Sequence, residues 1–286
     1  MHHRVRSEVA AELFETNDAQ ALTDAPCDRD ATAVLHDALV TLRLTASIRS
    51  RPRTGHRQQR AAIEDGDGDL DLPRKSRATS LVISLETLRE TEWTRTGAQL
   101  WRAALLLADW VLASTSTPGS IRWRHFDWRS RFLDLSAPEY PTTDQDFRWQ
   151  EQDVSMLEST DVILASDVFY DDELTRLFLD TLYGLMRRYP TAHVFVSAER
   201  RIVFSAVTMT EISLGVDTLV TRLCRHDPST HHRRITRNAV SCSACRGVET
   251  ARFVATPIAT HTIPKAFRDY KREESLQLWA LQAVVL

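Results

Sequence analysis

Glycine is scarce in this 286-residue chain. Eight are present, about 3% of residues against a usual ~7%. Only Gly66 and Gly68 stand as G-x-G, inside the acidic stretch EDGDGDLD at 64–71. That stretch repels anions and precedes no helix, so the sequence holds neither a dinucleotide fingerprint nor a P-loop. The nucleophile elbow G-x-S-x-G is also missing, which argues against a serine hydrolase of that type. Four cysteines, Cys27, Cys224, Cys242 and Cys245, are too few and too scattered for a disulfide framework, so a reducing compartment is expected. The longest apolar run, AALLLADWVLA at 103–113, contains Asp109 and falls short of the ~20 residues of a membrane helix. The opening MHHRVRSEVAAELFE has no apolar signal core. The expectation is a soluble protein of the nucleus, the cytoplasm or both, with no membrane partner.

Charge is nearly balanced. The net charge is -3, which disfavours a dedicated nucleic-acid binder. The exception is local. RSRPRTGHRQQR at 49–60 is basic and is followed by the acidic run near 64–71. Nucleic acid is expected as a partner only through this basic tail, and a solvated tail accounts for the same composition. Residues 1–78 therefore read as a mostly disordered N-terminal region, although 31–48 carries apolar residues at both helical and strand spacing.

Apolar residues make up 43% of the chain, enough for a sizeable core, and their pattern tightens from residue 79 onward. TSLVISLE at 79–86 reads as a strand. Residues 97–113 read as a helix with Leu100, Ala104, Leu107 and Val111 on one face. SIRWRHFDW at 120–128 alternates as a strand. DVILAS at 161–166 is a short apolar run bounded by charge, as in a buried parallel strand. A helix follows, with Asp171 and Asp172 at its start, the stripe Leu174, Leu177, Phe178, Leu182 and Leu185, and a stop at Pro190. HVFVSAE at 193–199 reads as a buried strand and 203–224 as a helix; 251–258 and 276–286 read as late strands. This order predicts a layered α/β domain over 79–286 with a mainly parallel sheet.

Residues 225–250 break the pattern and read as a loop insertion. Cys242-Ser-Ala-Cys245 lies there, near Cys224, His226, His231 and His232. C-x-x-C with nearby histidine suits zinc when the spacing is right. No second C-x-x-C or H-x3–5-H pair follows, and His231 and His232 are adjacent, so no metal is assigned from the sequence.

The motifs from residue 96 onward resemble a known family. TGAQLWRAALLLADWVL at 96–112 resembles the helix opening the catalytic domain of the seven-strand, S-adenosylmethionine-dependent methyltransferases that modify protein lysines. HFDW resembles that group's segment near the adenine, and Asp167-Val-Phe-Tyr170 resembles its post-strand D-x-x-Y motif. The resemblance covers about residues 64–286 apart from the Arg/His/Cys insertion. It implies a Rossmann-like sheet, S-adenosyl-L-methionine as cofactor and a protein carrying a target lysine as partner. It places Trp101, Asp127, Trp128 and Ser166 on the cofactor side, and Asp167 and Tyr170 on the catalytic side. Each has a plainer alternative: Trp101 as a core aromatic, Asp127-Trp128 as a packed strand end, Asp167 as a helix cap.

The chain departs from the family between the Trp101 helix and HFDW. There the family places a strand, a glycine-rich E-x-G-x-G turn, a helix and a second strand ending in an acidic residue. This chain has STSTPGS at 114–120. Seven residues reach ~25 Å at most and cannot supply those elements. The sheet is therefore expected to be incomplete. Either a splice or gene-model event removed the block, or the chain is a degenerate relative. The functional alternatives are an impaired lysine methyltransferase and a non-catalytic remnant or isoform that binds a protein partner.

Overall fold

The computed structural model of the protein describes residues 4–5, 39–48, 79–88, 91–92, 99–114, 151–206, 208–213, 215–226, 228–245, 251–268 and 270–285. The chain divides into two compact units: Met1–Leu100 with Lys265–Tyr270, and Trp101–Pro264 with Lys271–Leu286.

In the first unit, β1 (Arg4–Val5) pairs antiparallel with β4 (Thr91–Glu92). A longer antiparallel pair joins β2 (Leu39–Ile48) to β3 (Thr79–Leu88). The register sets Leu42 opposite Leu85, Leu44 opposite Ile83 and Ala46 opposite Leu81. Leu44 and Ile83 thus form an apolar cross-strand pair, and Leu44 and Ala46 are buried. The ambiguity at 31–48 resolves as strand over its described part. The rest of the tail expected over 1–78 lies outside the described residues, apart from Arg4–Val5.

The second unit is a layered α/β fold. Helices α1 (Arg102–Ser114) and α2 (Glu151–Glu158) precede β5 (Val162–Ser166), α3 (Asp172–Arg188) and β6 (His193–Glu199). Strands β5 and β6 run parallel, with Val162 opposite His193 and Ser166 opposite Ser197, so α3 is the crossover helix of a βαβ unit. β6 has a helix on each face. Val194, Val196 and Ala198 share a core with Phe178, Leu179, Leu182 and Met186 of α3. On the opposite parity, Phe195 packs against Trp110 of α1 at 4.0 Å between ring centroids, and Ser197 Oγ donates to the Ala103 carbonyl at 2.9 Å. The α3 stripe is rotated slightly from the sequence reading: Leu179 and Met186 are buried, while Leu174, Leu177 and Leu185 are half-buried.

The sheet is mixed, a change from the mainly parallel one expected. The order is β5-β6-β12-β10-β9, with β9 (His232–Arg234), β10 (Ala239–Cys242) and β12 (Leu276–Val285). β11 (Phe253–Pro257) also pairs with β12. β12 is antiparallel to both β6 and β11 and parallel to β10. The β11–β12 connection supplies the physical reason. Among its described residues it holds only a 3-10 turn at Thr260–Thr262, not the crossover helix that a parallel return commonly uses. That connection is fixed by Arg272, which donates to the Asp109 carboxylate of α1 at 2.5 Å and to the carbonyls of Thr260 (3.2 Å) and Ile263 (2.5 Å).

Three further expectations change. The helix read over 203–224 is instead a hairpin, β7 (Val203–Ser205) with β8 (Thr210–Ile212), followed by the short α4 (Val216–Thr221). Its β-branched residues Val203, Thr210 and Ile212 favour the extended form. The loop read over 225–250 contains α5 (Pro228–His231), β9, β10 and a 3-10 turn at Ser243–Cys245. β5 is less buried than expected. It ends the strand path among the described residues, and Val162 and Leu164 are 43% and 44% exposed while Ile163 and Ala165 pack on the core. Residues 120–128, read as a strand, lie outside the described residues. No helix among the described residues is long and apolar enough to cross a membrane.

The turn from β5 into α3 is locked from both sides. Asp171 caps α3, its carboxylate accepting from the Leu174 N–H at 2.8 Å. Asp172 accepts from the Gly215 N–H at 2.9 Å and from the Thr218 hydroxyl at 2.8 Å. Gly215 sits at φ +73°, and a Cβ there would lie 2.4 Å from the Phe169 carbonyl carbon. Gly215→Ala is expected to cost about 2 kcal/mol through a strained backbone and a backbone clash. A lower urea midpoint with an unchanged slope would report it.

Candidate functional site at the ends of β5 and β6

Parallel pairing brings the carboxyl ends of β5 and β6 side by side. The chain leaves β5 through Asp167, whose N–H donates to the Ser197 carbonyl at 2.8 Å. Asp167 adopts φ +53°, a left-handed conformation that Asp tolerates better than most residues. Its carboxylate faces β6. Oδ2 accepts from Arg201 Nη2 at 2.8 Å; Oδ1 accepts from Arg201 Nη1 at 3.3 Å and from the Glu199 N–H at 3.5 Å. This is a forked, charge-assisted pair with the carboxylate almost fully enclosed. The same guanidinium lies 4.5 Å from the centroid of the Trp101 ring, within cation–π range.

A second buried pair adjoins the first. Glu199 ends β6 on the parity that faces α1, and Arg102 opens α1. Arg102 Nε donates to Glu199 Oε2 at 3.3 Å, and its Nη2 pairs closely with Oε1. The Ser275 hydroxyl donates to Glu199 Oε1 at 3.3 Å, and Arg102 also meets Glu273 at 3.1 Å. Arg201 lies 3.9 Å from Glu199 and so links the pairs. The result is an alternating row of two enclosed carboxylates and two guanidiniums across the strand ends. Such enclosed charge needs this mutual pairing.

The structure thus joins Trp101 and Asp167 through Arg201. Asp167 does not cap the next helix; Asp171 does. Ser166 is half-buried, and its enclosed hydroxyl has no hydrogen-bond partner among the described residues. Tyr170 is half-buried in the turn just before the Asp171 cap. Asp127 and Trp128 lie outside the described residues. Sequence reasoning missed Arg201, Glu199 and Arg102. A signal for Glu199 was present, because strand parity from Phe195 and Ser197 carries it onto the face covered by α1. It also assigned no role to the cysteines at 224–245. There the Cys245 thiol is pushed up to about 12, by burial first and then by its hydrogen bonds with Cys224 and Cys242.

This arrangement of parallel strands, crossover helix and polar strand ends stands beside sequence similarity to proteins named for methyl transfer. The chain is 25% identical to methyltransferase-like protein 22 of Mus musculus over 232 residues, covering 49% of this chain and 58% of that protein. The chain resembles a methyltransferase. To methyltransferase-like protein 22 of Homo sapiens it is 22% identical over 266 residues, covering 56% of this chain and 64% of the relative. The chain therefore spans about three fifths of the length of these curated relatives. No family model matches the chain, and no solved structure matches it.

Arg201→Ala withdraws a forked partner from the enclosed Asp167 and is expected to destabilise the protein by about 2 kcal/mol. Arg201→Lys should recover only part of this, because an ammonium cannot reproduce the fork. A double-mutant cycle with Asp167→Asn, read by urea denaturation, should show a coupling of about 1 kcal/mol or more. Additive single effects would place the pair outside the folding core.

Proposed function

We propose that the protein is built on the scaffold of an S-adenosyl-L-methionine-dependent protein-lysine N-methyltransferase, and that cofactor binding is impaired in this chain. The observation that carries the reading is the strand-end site. Open α/β sheets bind ligands beyond the carboxyl ends of their strands, and Asp167 occupies that position on a parallel pair with Trp101 tied to it. On this reading Asp167 and Tyr170 form the lysine side, and Trp101, Asp127, Trp128 and Ser166 form the cofactor wall. The partner is a protein carrying the target lysine, met in the nucleus or cytoplasm; no membrane is involved, and nucleic acid is met only through 49–60.

The bound cofactor supplies an electrophilic methyl group on a sulfonium. The chain's own contribution is to hold a neutral lysine amine in line and exclude water around it. Its fit to the cofactor is partial. The enclosed Ser166 hydroxyl is available to a polar group. The Trp101 ring, in contrast, is engaged by Arg201, and both enclosed carboxylates are engaged by guanidiniums. The sequence offers no glycine-rich turn to bring backbone N–H groups to the cofactor's amino-acid end.

Two observations support impairment. The match to the mouse protein runs over 232 residues yet takes up only 49% of this 286-residue chain, so the relative carries internal stretches without counterpart here. β5, moreover, leaves Val162 and Leu164 open at the end of the described strand path. The engaged Asp167 carboxylate favours the second reading, a non-catalytic form that binds a protein partner.

Calorimetric titration separates these readings. The chain is expected to bind S-adenosylhomocysteine more weakly than about 100 μM. Inserting the relatives' internal block between Ser114 and Ile121 should bring binding into the micromolar range. Micromolar binding by the unaltered chain would remove the impairment. No binding at millimolar ligand, with or without the insertion, would leave the non-catalytic form.

A further inference from the structure

We propose that Cys224, His226, Cys242 and Cys245 form a structural zinc site that fastens the 224–245 segment onto the sheet. Four soft or borderline donors from two separated stretches converge, with all four ligand atoms within 4.8 Å of one another. Cys224 Sγ lies 3.0 Å from Cys245 Sγ and 3.6 Å from Cys242 Sγ. His226 Nδ1 lies 3.4 Å from Cys224 Sγ, 3.3 Å from Cys245 Sγ and 3.9 Å from Cys242 Sγ. A tetrahedral zinc with Zn–S of ~2.3 Å and Zn–N of ~2.0 Å requires S–S edges of about 3.8 Å and S–N edges of about 3.5 Å. The three sulfur–imidazole separations and the Cys224–Cys242 separation lie close to these values, and the Cys224–Cys245 separation of 3.0 Å is shorter. They are also well beyond the ~2.05 Å of a disulfide, and all three cysteines are free.

The local fold explains the convergence. Cys224 leaves α4 where its N–H donates to the Phe253 carbonyl of β11 at 2.7 Å, and His226 follows two residues later. Cys242 ends β10, and the 3-10 turn at Ser243–Cys245 doubles back to bring in Cys245. The backbone N–H groups of Ala244 and Cys245 point to the Cys242 sulfur, donors that a thiolate ligand accepts. His232, paired with Cys242 in the β9–β10 ladder, places Nε2 3.2 Å from Cys224 Sγ. That is the outer hydrogen bond by which metal sites commonly orient a ligand. The spacing is Cys-x-His, fifteen residues, then Cys-x-x-Cys.

The chemistry selects the ion. Three thiolates and one imidazole in tetrahedral array suit zinc, and four protein ligands leave no position for water or substrate, as in structural sites. Cys242 and Cys245 are buried within a small apolar cluster of Val240, Ala251, Val254 and Val284. The ion would thus tie α4, β10 and the approach to β11 together where the cluster alone is small.

The test uses the full chain, produced in zinc-supplemented medium and purified under reducing conditions without chelator. Elemental analysis is expected to find one zinc per chain. Cobalt substitution is expected to give the thiolate charge-transfer and visible bands of a tetrahedral sulfur-rich site. Cys242→Ser and Cys245→Ser should lose the zinc. His226→Cys, which exchanges the imidazole for a fourth thiolate, and His232→Ala should keep it, as should Cys27→Ser. The cobalt spectrum of the unaltered chain carries the test if the serine variants do not fold. The proposal is overturned if the unaltered chain holds no zinc and takes up none from a zinc–chromophore competitor. It is equally overturned if the cobalt bands lack thiolate character, or if Cys27→Ser loses as much metal as Cys242→Ser.

Discussion

The burial of β6 on both faces is the constraint from which the larger unit follows. One parity of that strand, Val194, Val196 and Ala198, is committed to the α3 core. The other, Phe195, Ser197 and Glu199, is committed to α1 through a ring contact, a hydroxyl-to-carbonyl bond and an enclosed ion pair. A slip of one residue would exchange these sets, placing Glu199 in the apolar core and the valines against Arg102. The register is therefore fixed by chemistry on both sides, and with it the place where Asp167 emerges beside Arg201.

The strongly periodic elements were readable from the residues. β6 was read with its observed bounds, and α3 from its acidic start, its apolar stripe and its stop at Pro190. Each has a pattern set by local sequence and one packing environment. Where context decides, sequence reading fell short. The 203–212 hairpin was taken for helix because its apolar residues satisfy both spacings, and what decides is pairing between β7 and β8. The exposure of Val162 and Leu164 was hidden because a run of apolar residues reveals only capacity for burial. The β9–β10 pair escaped notice since both strands are short and β9 consists of histidine and arginine; Ala239, Val240 and Cys242 of β10 gain their burial from distant partners.

The candidate site shows the same division. Asp167 and Trp101 were legible through family resemblance. Arg201 was not, and Glu199 only as a strand-parity signal, because the link is tertiary: a residue from each of three segments meets at one strand end. This meeting makes the strand end polar without leaving bare charge in the interior.

The interlock between Phe169 and Gly215 has a consequence for where the chain can grow. Because the backbone at 215 rests directly on the β5–α3 turn, the polypeptide between them forms a closed excursion whose two feet are already fastened. The β7–β8 tip hangs from that base with Phe204 and Met209 turned outward. Lengthening such a tip adds only a slowly rising closure entropy. It is therefore the position at which foreign sequence, an epitope or a fluorescent reporter, can be grafted beside the strand ends while their geometry is retained.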